Sequence, residues 1–222
     1  MRASRSFFAR DALDVAPDLL GARLTIASPD GEVTVRVTET EAYHGLGTGG
    51  MHDGGSHARM GKTARNASMF GEPGHLYVYF SYGMHNAVNV VCSPAGRASG
   101  VLLRAGEIVA GDELARARRP AAKASRDLAR GPGRLAQALG LRYTEHDGMD
   151  ALPDVWPLPG VTSALLELPD TPPAHVSSGP RTGVSGEAGT DAFPWRFWIT
   201  DDPTVSPYRA AAPRRARRPA AG

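Results

Sequence analysis

The strand that follows the first turn constrains this chain more than any other segment. Val33, Val35 and Val37 alternate with Thr34, Arg36 and Thr38, the period of two that puts one set of side chains on a buried sheet face. Continuing that register sets Glu39, Glu41 and Tyr43 on the same apolar face. Burying a carboxylate costs roughly several kcal/mol unless it is paired or its pKa rises. A strand running from valines into two glutamates and a tyrosine therefore predicts a passage from core into a polar pocket. The same pattern is met by a strand that ends or bulges near Thr40 and frees the carboxylates to solvent, or by pairing with buried arginines. The alternation does not say which glutamate acts.

Around that strand the chain reads as α+β, with strands outnumbering helices in a mainly antiparallel sheet. A helix capped by Asp14 carries Pro17 and ends at Gly21. Arg23–Ala27 and the strand from Val33 form a hairpin about Ser28-Pro-Asp-Gly31. Further strands are predicted at Leu76–Ser81, Ala87–Cys92, Val101–Ala105 and Phe197–Thr200, and helices at Asp112–Arg119 and Pro132–Leu139. Gly45–Gly55 reads as a flexible loop, and the Pro- and Gly-rich stretch from Pro153 to Gly189 as irregular. With 222 residues, 41% of them hydrophobic, one domain over 1–208 is expected, followed by a disordered, Arg-rich Ala/Pro/Arg tail at 209–222.

Charge narrows the function classes less than location does. Arg209, Arg214, Arg215, Arg217 and Arg218 account for more than the whole net charge of +2, and the remainder carries about −3. Overall charge does not mark a nucleic-acid binder. Two local runs do better. Gly54–Gly71 holds Arg59, Lys62 and Arg65 without an acid, and Arg116–Arg134 holds seven cations against Asp127. Either run alone is an ordinary solvated face; together they fit a phosphate-binding surface. A single cysteine, Cys92, excludes an intramolecular disulfide and a cysteine-based zinc cluster, and it reads as a core residue. His44, His52 and His57 lack metal-ligand spacing, and Gly131-Pro-Gly133 starts a helix rather than a phosphate loop. No apolar run follows Arg2, Arg5 and Arg10, and none reaches spanning length, so a cytoplasmic protein without a membrane partner is expected.

A second candidate cluster lies in Leu76-Tyr77-Val78-Tyr79-Phe80-Ser81-Tyr82-Gly83. Tyr77 and Tyr79 share one strand face, and Tyr82 reaches the turn, where Gly83 permits a tight bend. Tyrosine packs at core edges as a matter of course. A hairpin tipped by an aromatic can also wedge between bases, and tyrosines near carboxylates can stack on a planar ligand.

Taken together, these residues resemble the alkyladenine (3-methyladenine) DNA glycosylase family. The matching stretches are Glu39-Thr-Glu41-Ala-Tyr43, Ser56-His57, Lys62-Thr-Ala-Arg65-Asn66 with Met69-Phe70, Pro73 through Met84, Asn89-Val-Val, Val101-Leu-Leu-Arg104-Ala and Gly131 through Leu139. They run in order from Phe7 to about Leu141 and return weakly at Arg181–Ile199. The resemblance implies a single-domain fold with a curved antiparallel sheet and flanking helices, no metal and no cofactor. It implies a monofunctional enzyme, expected as a monomer, whose partner is double-stranded DNA containing damaged purines. Glu41 would be the general base for water, with Arg104 helping to hold that water. Tyr43, His57, Tyr79 and Asn89 would line the pocket around the flipped base, Tyr82 would be the intercalating wedge, and Lys62 and Arg65 would touch backbone phosphates.

Two departures stand out. Between Tyr43 and His57 the chain is about five residues longer than the family usually is, which makes His52 a rival of His57 for the pocket; the spacing to Lys62 and Arg65 favours His57. Asn86 stands where members usually carry a bulky aromatic. A non-catalytic nucleic-acid-binding module is the alternative of a different class, and carboxylate and wedge together argue against it. A metal-dependent nuclease would have to use Asp201 and Asp202, a poor template for a metal pair.

Overall fold

The computed structural model describes residues 1–81 and 83–212; Tyr82 and the stretch from Pro213 to Gly222, with most of the arginine tail, lie outside the described residues. The expected hairpin is present: β1 (Arg23–Ser28) turns at Pro29-Asp30 into β2 (Gly31–His44). β2 is the spine of the sheet. One edge pairs along most of its length with β5 (Ser99–Ala110). Its other edge pairs first with β1 and then, over Glu39–Glu41, with β8 (Arg196–Ile199). Outward from β5 come β4 (His85–Cys92) and β3 (Leu76–Ser81), outward from β1 comes β6 (Ser163–Glu167), and β7 (Val176–Gly179) pairs with β8. Every one of these pairings is antiparallel. The result is a curved antiparallel sheet, a half-barrel flanked by helices, in agreement with the α+β expectation.

The register of β2 corrects the reading of its faces. Val37 pairs with Gly106, Glu39 with Ala105 and Thr40 with Leu103, so Thr38 on one strand and Arg104 on the other are extra residues. A bulge of this kind breaks the alternation of side chains. Before it, Val33, Val35 and Val37 enter the main core; after it, Ala42 joins that core and Thr40 Oγ1 donates to the Ala16 carbonyl on the same side. Glu39, Glu41 and Tyr43 therefore lie on the opposite face from the valines. Strand crowding at the bulge is tight enough to require glycine: a Cβ on Gly106 would stand 2.5 Å from the Arg36 carbonyl oxygen.

The core face is covered by α2 (Ala12–Asp18) and α4 (Pro132–Leu139), whose Val15, Ala16, Leu135 and Leu139 meet Leu24, Ile26, Val88, Val90, Cys92, Val101 and Leu103. Each leucine-sized side chain buried in this way contributes about 1.5–3 kcal/mol. α4 has the predicted bounds, with Pro132 in its first turn and Gly140 closing it at φ +75°. α2 starts a turn earlier than expected because Asp11, not Asp14, caps it through the Leu13 N–H. Short helices α1 (Arg5–Phe8) and α5 (Tyr143–His146), with α3 (Asp112–Arg118), complete the set. The stretch expected to be irregular holds β6 and β7, whose few residues give too short a pattern to stand out among prolines and glycines. No helix among the described residues is long and apolar enough to cross a membrane.

Candidate active site

Register gathers the site from four strands. Tyr77 pairs with Asn89, Asn89 with Leu102, and Leu102 with Glu41, which makes one row of side chains across β3, β4, β5 and β2. The row lies on the face opposite the main core, and with Tyr43, Tyr79 and Arg104 it floors a cleft of about 1760 Å³. His52, His57, Arg59 and Arg65 line one side, and Thr182 through Gly186 the other.

The two glutamates are held differently. Both are fully buried. Glu39 accepts from Arg196 Nε on one oxygen and from the Ser206 N–H at 2.8 Å on the other, with Arg104 Nε 3.0 Å away. It does not line the cleft. Glu41 does. Its Oε2 accepts from the Tyr43 hydroxyl at 2.8 Å and its Oε1 from the Thr182 N–H at 2.7 Å, while Arg104 Nε stands off at 3.6 Å. Burial pushes the Glu41 carboxyl above the ordinary carboxylate value; Arg104, the Thr182 N–H and the Tyr43 hydroxyl pull it down, and Glu39 pushes it up again. Such a group is more easily protonated than a free carboxylate, which suits a base that must take a proton. Tyr43 is itself held far above the usual tyrosine value, first by burial and then by the neighbouring Glu41 charge, so its hydroxyl stays a donor.

At the other end of the row from Glu41, on β3, stands an aromatic cluster. The rings of Tyr77 and Tyr79 stack at 5.4 Å, and His57 meets Tyr79 edge-on at 4.5 Å. His57 Nδ1 lies 3.1 Å from the Tyr77 hydroxyl. Partial burial, then Arg65 and Arg59, lower the His57 pKa and favour the neutral ring. Asn89 is buried at the floor and donates to the Tyr77 carbonyl at 3.2 Å.

Of the residues singled out in the sequence, Glu41, Tyr43, His57, Arg65, Tyr79, Asn89 and Arg104 all line this cleft. His52 also reaches it, and both histidines are exposed; His57 is the one that makes contacts with the tyrosines. Lys62 is exposed near the Phe70 ring and is not part of the lining. Tyr82 lies outside the described residues; its neighbours Ser81 and Gly83 edge the cleft. Sequence reasoning left Tyr77 out of the pocket, although the period of two places it with Tyr79. It also missed Leu102, the Thr182 N–H and Arg181, the last two lying in the stretch read as irregular. Arg209 through Ala212, placed in the tail by composition, also line the cleft, and the Arg209 carbonyl accepts from the Gly183 N–H at 2.8 Å.

The methylpurine-DNA glycosylase family profile matches residues 6–203. A protein of Streptomyces avermitilis, provisionally named a 3-methyladenine DNA glycosylase, is 57% identical over 96% of this chain and 95% of its own length. Proteins carrying the same provisional name are 52% identical in Leifsonia xyli (92% of each chain) and 47% identical in Nocardia farcinica (90% of this chain, 88% of its own). Glu39, Glu41, Tyr43, Tyr77 and Tyr79 all fall inside a match that spans nearly the whole described chain, and the chain belongs to the methylpurine-DNA glycosylase family.

Proposed function

We propose that the protein is a monofunctional DNA glycosylase that flips a damaged purine nucleotide out of duplex DNA and hydrolyses its N-glycosidic bond. Family membership supports a DNA-repair glycosylase in general terms. The observation that carries the finer reading is the asymmetry of the carboxylates: Glu39 is saturated by Arg196 and Ser206, whereas Glu41 faces a cleft walled by Tyr77, Tyr79 and His57.

A purine inside the stack hides its glycosidic bond, so the nucleotide must be extruded at a cost of roughly a few kcal/mol. Tyr82 is proposed as the wedge that fills the gap, since stacking on a base recovers about 1–3 kcal/mol. The extruded base enters the cleft among Tyr43, His57 and Tyr79, and the tyrosine faces attract the positive charge that alkylation at N3 or N7 confers. Asn89 at the floor disfavours the exocyclic amine of normal guanine. Glu41 takes a proton from water as its oxygen bonds to C1′, and the C1′–N bond breaks with its electron pair going to the base. Arg104 helps hold the water, and the carboxylate also stabilises positive charge on the sugar. Lys62 and Arg65 are proposed to meet backbone phosphates.

The test is base release from duplexes that each carry one methylated purine, hypoxanthine or etheno adduct, in chelator. Free base and an intact strand with an alkali-labile abasic site are expected. Magnesium-dependent nicking without base release would overturn the reading.

A further inference from the structure

We propose that Arg181, paired with Asp53, is a positioning residue for Glu41: it fixes together the Tyr43 ring and the Thr182 N–H, the two hydrogen-bond donors that hold the carboxylate. The inference rests on the reading of Glu41 as the base.

Arg181 is fully buried, and it heads the large side chains that are. A buried guanidinium costs several kcal/mol unless its charge and donors are matched. Here Asp53 matches the charge in two contacts, Nη1 to Oδ2 at 2.8 Å and Nη2 to Oδ1 at 2.6 Å. The two remaining Nη donors point at the backbone around the site, while the buried Nε has no hydrogen-bond partner among the described residues. Nη1 donates to the Ala42 carbonyl at 2.8 Å, between Glu41 and Tyr43, and Nη2 to the Ala188 carbonyl at 3.0 Å, at the far end of the segment that walls the cleft. The guanidinium carbon, Cζ, lies over the Tyr43 ring at 4.4 Å from its centroid and over the Trp195 ring at 4.9 Å. Its next residue is Thr182, whose N–H reaches Glu41. One side chain therefore sets the ring angle of one donor and the backbone position of the other.

Asp53 gives the glycine-rich insertion a task. Besides Arg181, its Oδ2 accepts from the His44 N–H at 3.1 Å and its Oδ1 from the Gly55 N–H at 2.9 Å, which anchors the loop end to the end of β2. Gly55 is packed against the opposite wall, where an added Cβ would stand 2.7 Å from Val184 Cγ1. Loop, strand end and wall are thus buckled at one buried ion pair. The charged and titratable groups facing Glu41 are Arg104 from β5, Glu39 and Tyr43 from its own strand, and Arg181 from the wall. Of these, Arg181 alone also touches the supports of both Glu41 oxygens.

Arg181→Lys keeps the charge but cannot make two parallel bonds or stack as a plane. Single-turnover base release is expected to fall roughly ten- to hundredfold with lesion-duplex affinity within a few-fold of wild type. The acid limb of its pH profile should move to higher pH, because loosened donors favour the protonated carboxyl. Tyr43→Phe and Arg181→Lys together should lose less than the product of their separate losses. A readout that needs no activity is the infrared carboxyl band of Glu41, assigned by its disappearance in Glu41→Gln: its titration midpoint should rise in Arg181→Lys and in Asp53→Asn. An unshifted Glu41 midpoint in whichever of these variants folds overturns the inference, as does a rate loss with an unshifted pH profile and full additivity with Tyr43→Phe. Wild-type protein that releases no base would instead overturn the reading of the reaction, with the infrared titration still deciding this one.

Discussion

The two halves of β2 obey different rules. From Gly31 to Arg36 the strand pairs with β1 on one edge and, from Thr34, with β5 on the other, and its alternation through Val37 delivers valines to the core. From Glu39 to His44 it pairs with β5, and over Glu39–Glu41 also with β8, and both faces are buried: Thr40 and Ala42 on the α2 side, Glu39 against Arg196 and Ser206, and Glu41 against the wall that follows β7. The bulge at Thr38 separates the halves. The first half is stabilised by area removed from water, the second by ion pairs and donors that arrive from 139 to 167 residues away, such as Arg181, Arg196 and Ser206. Within that second half the two glutamates divide again, one tied to arginine for the fold and one left facing a cleft.

Neutralising Glu39 should break the comparison most visibly. Glu39→Gln removes the charge that compensates the buried Arg196 and part of Arg104, and stranding a buried cation costs roughly 3–5 kcal/mol. Thermal melting should fall on the order of 10 °C. Glu41→Gln should behave oppositely. Burial raises the native Glu41 pKa above the unfolded value of about 4, so its contribution to stability is complete below that value and is lost as pH rises through the native one. At neutral pH the amide should leave melting unchanged or higher, and that advantage should vanish in acid. Equal losses of stability in the two variants would erase the distinction between them.

Tyr82→Ala sharpens the comparison from the far side of the cleft. Loss of stacking present only in the flipped state should lower excision about ten- to hundredfold for a well-paired lesion such as hypoxanthine opposite cytosine. The deficit should shrink when the same lesion is mismatched or single-stranded, with melting near wild type. A uniform loss on all substrates, accompanied by a lower melting temperature, would mark Tyr82 as a packing residue instead.

The smallest effect is expected from ending the chain at Ala212, which keeps the Arg209 carbonyl on Gly183 and removes Arg214, Arg215, Arg217 and Arg218. Binding to undamaged DNA should weaken and its salt dependence flatten, by about 0.9 in slope for each phosphate that the tail no longer neutralises. Single-turnover excision under saturating enzyme should stay within twofold; a large loss would give the tail a part in the chemistry.

Local signals made much of this architecture legible. The Ser28–Gly31 turn and the Pro132 and Gly140 punctuation of α4 are set within a few residues of chain, and the structure has them where the sequence does. The glutamate anomaly was also legible, because polar residues continuing an apolar face demand an explanation. Its resolution was not. A one-residue bulge leaves no mark in a period-two pattern, and it turns the carboxylates to the other side of the sheet. Arg181 and Thr182 were hidden for a related reason: their meaning is a contact with β2, while their neighbours read as loop.

On the proposed mechanism Glu41, and not Glu39, takes the proton from water. The most direct measurement is single-turnover base release by Glu41→Gln and Glu39→Gln side by side, at a temperature where melting shows both folded, with lesion-duplex binding measured in parallel. Glu41→Gln is expected to bind but to lose at least roughly 10²–10⁴-fold in rate, while folded Glu39→Gln keeps its rate within about tenfold. Equal losses in the two variants, or a greater loss in Glu39→Gln, would contradict it.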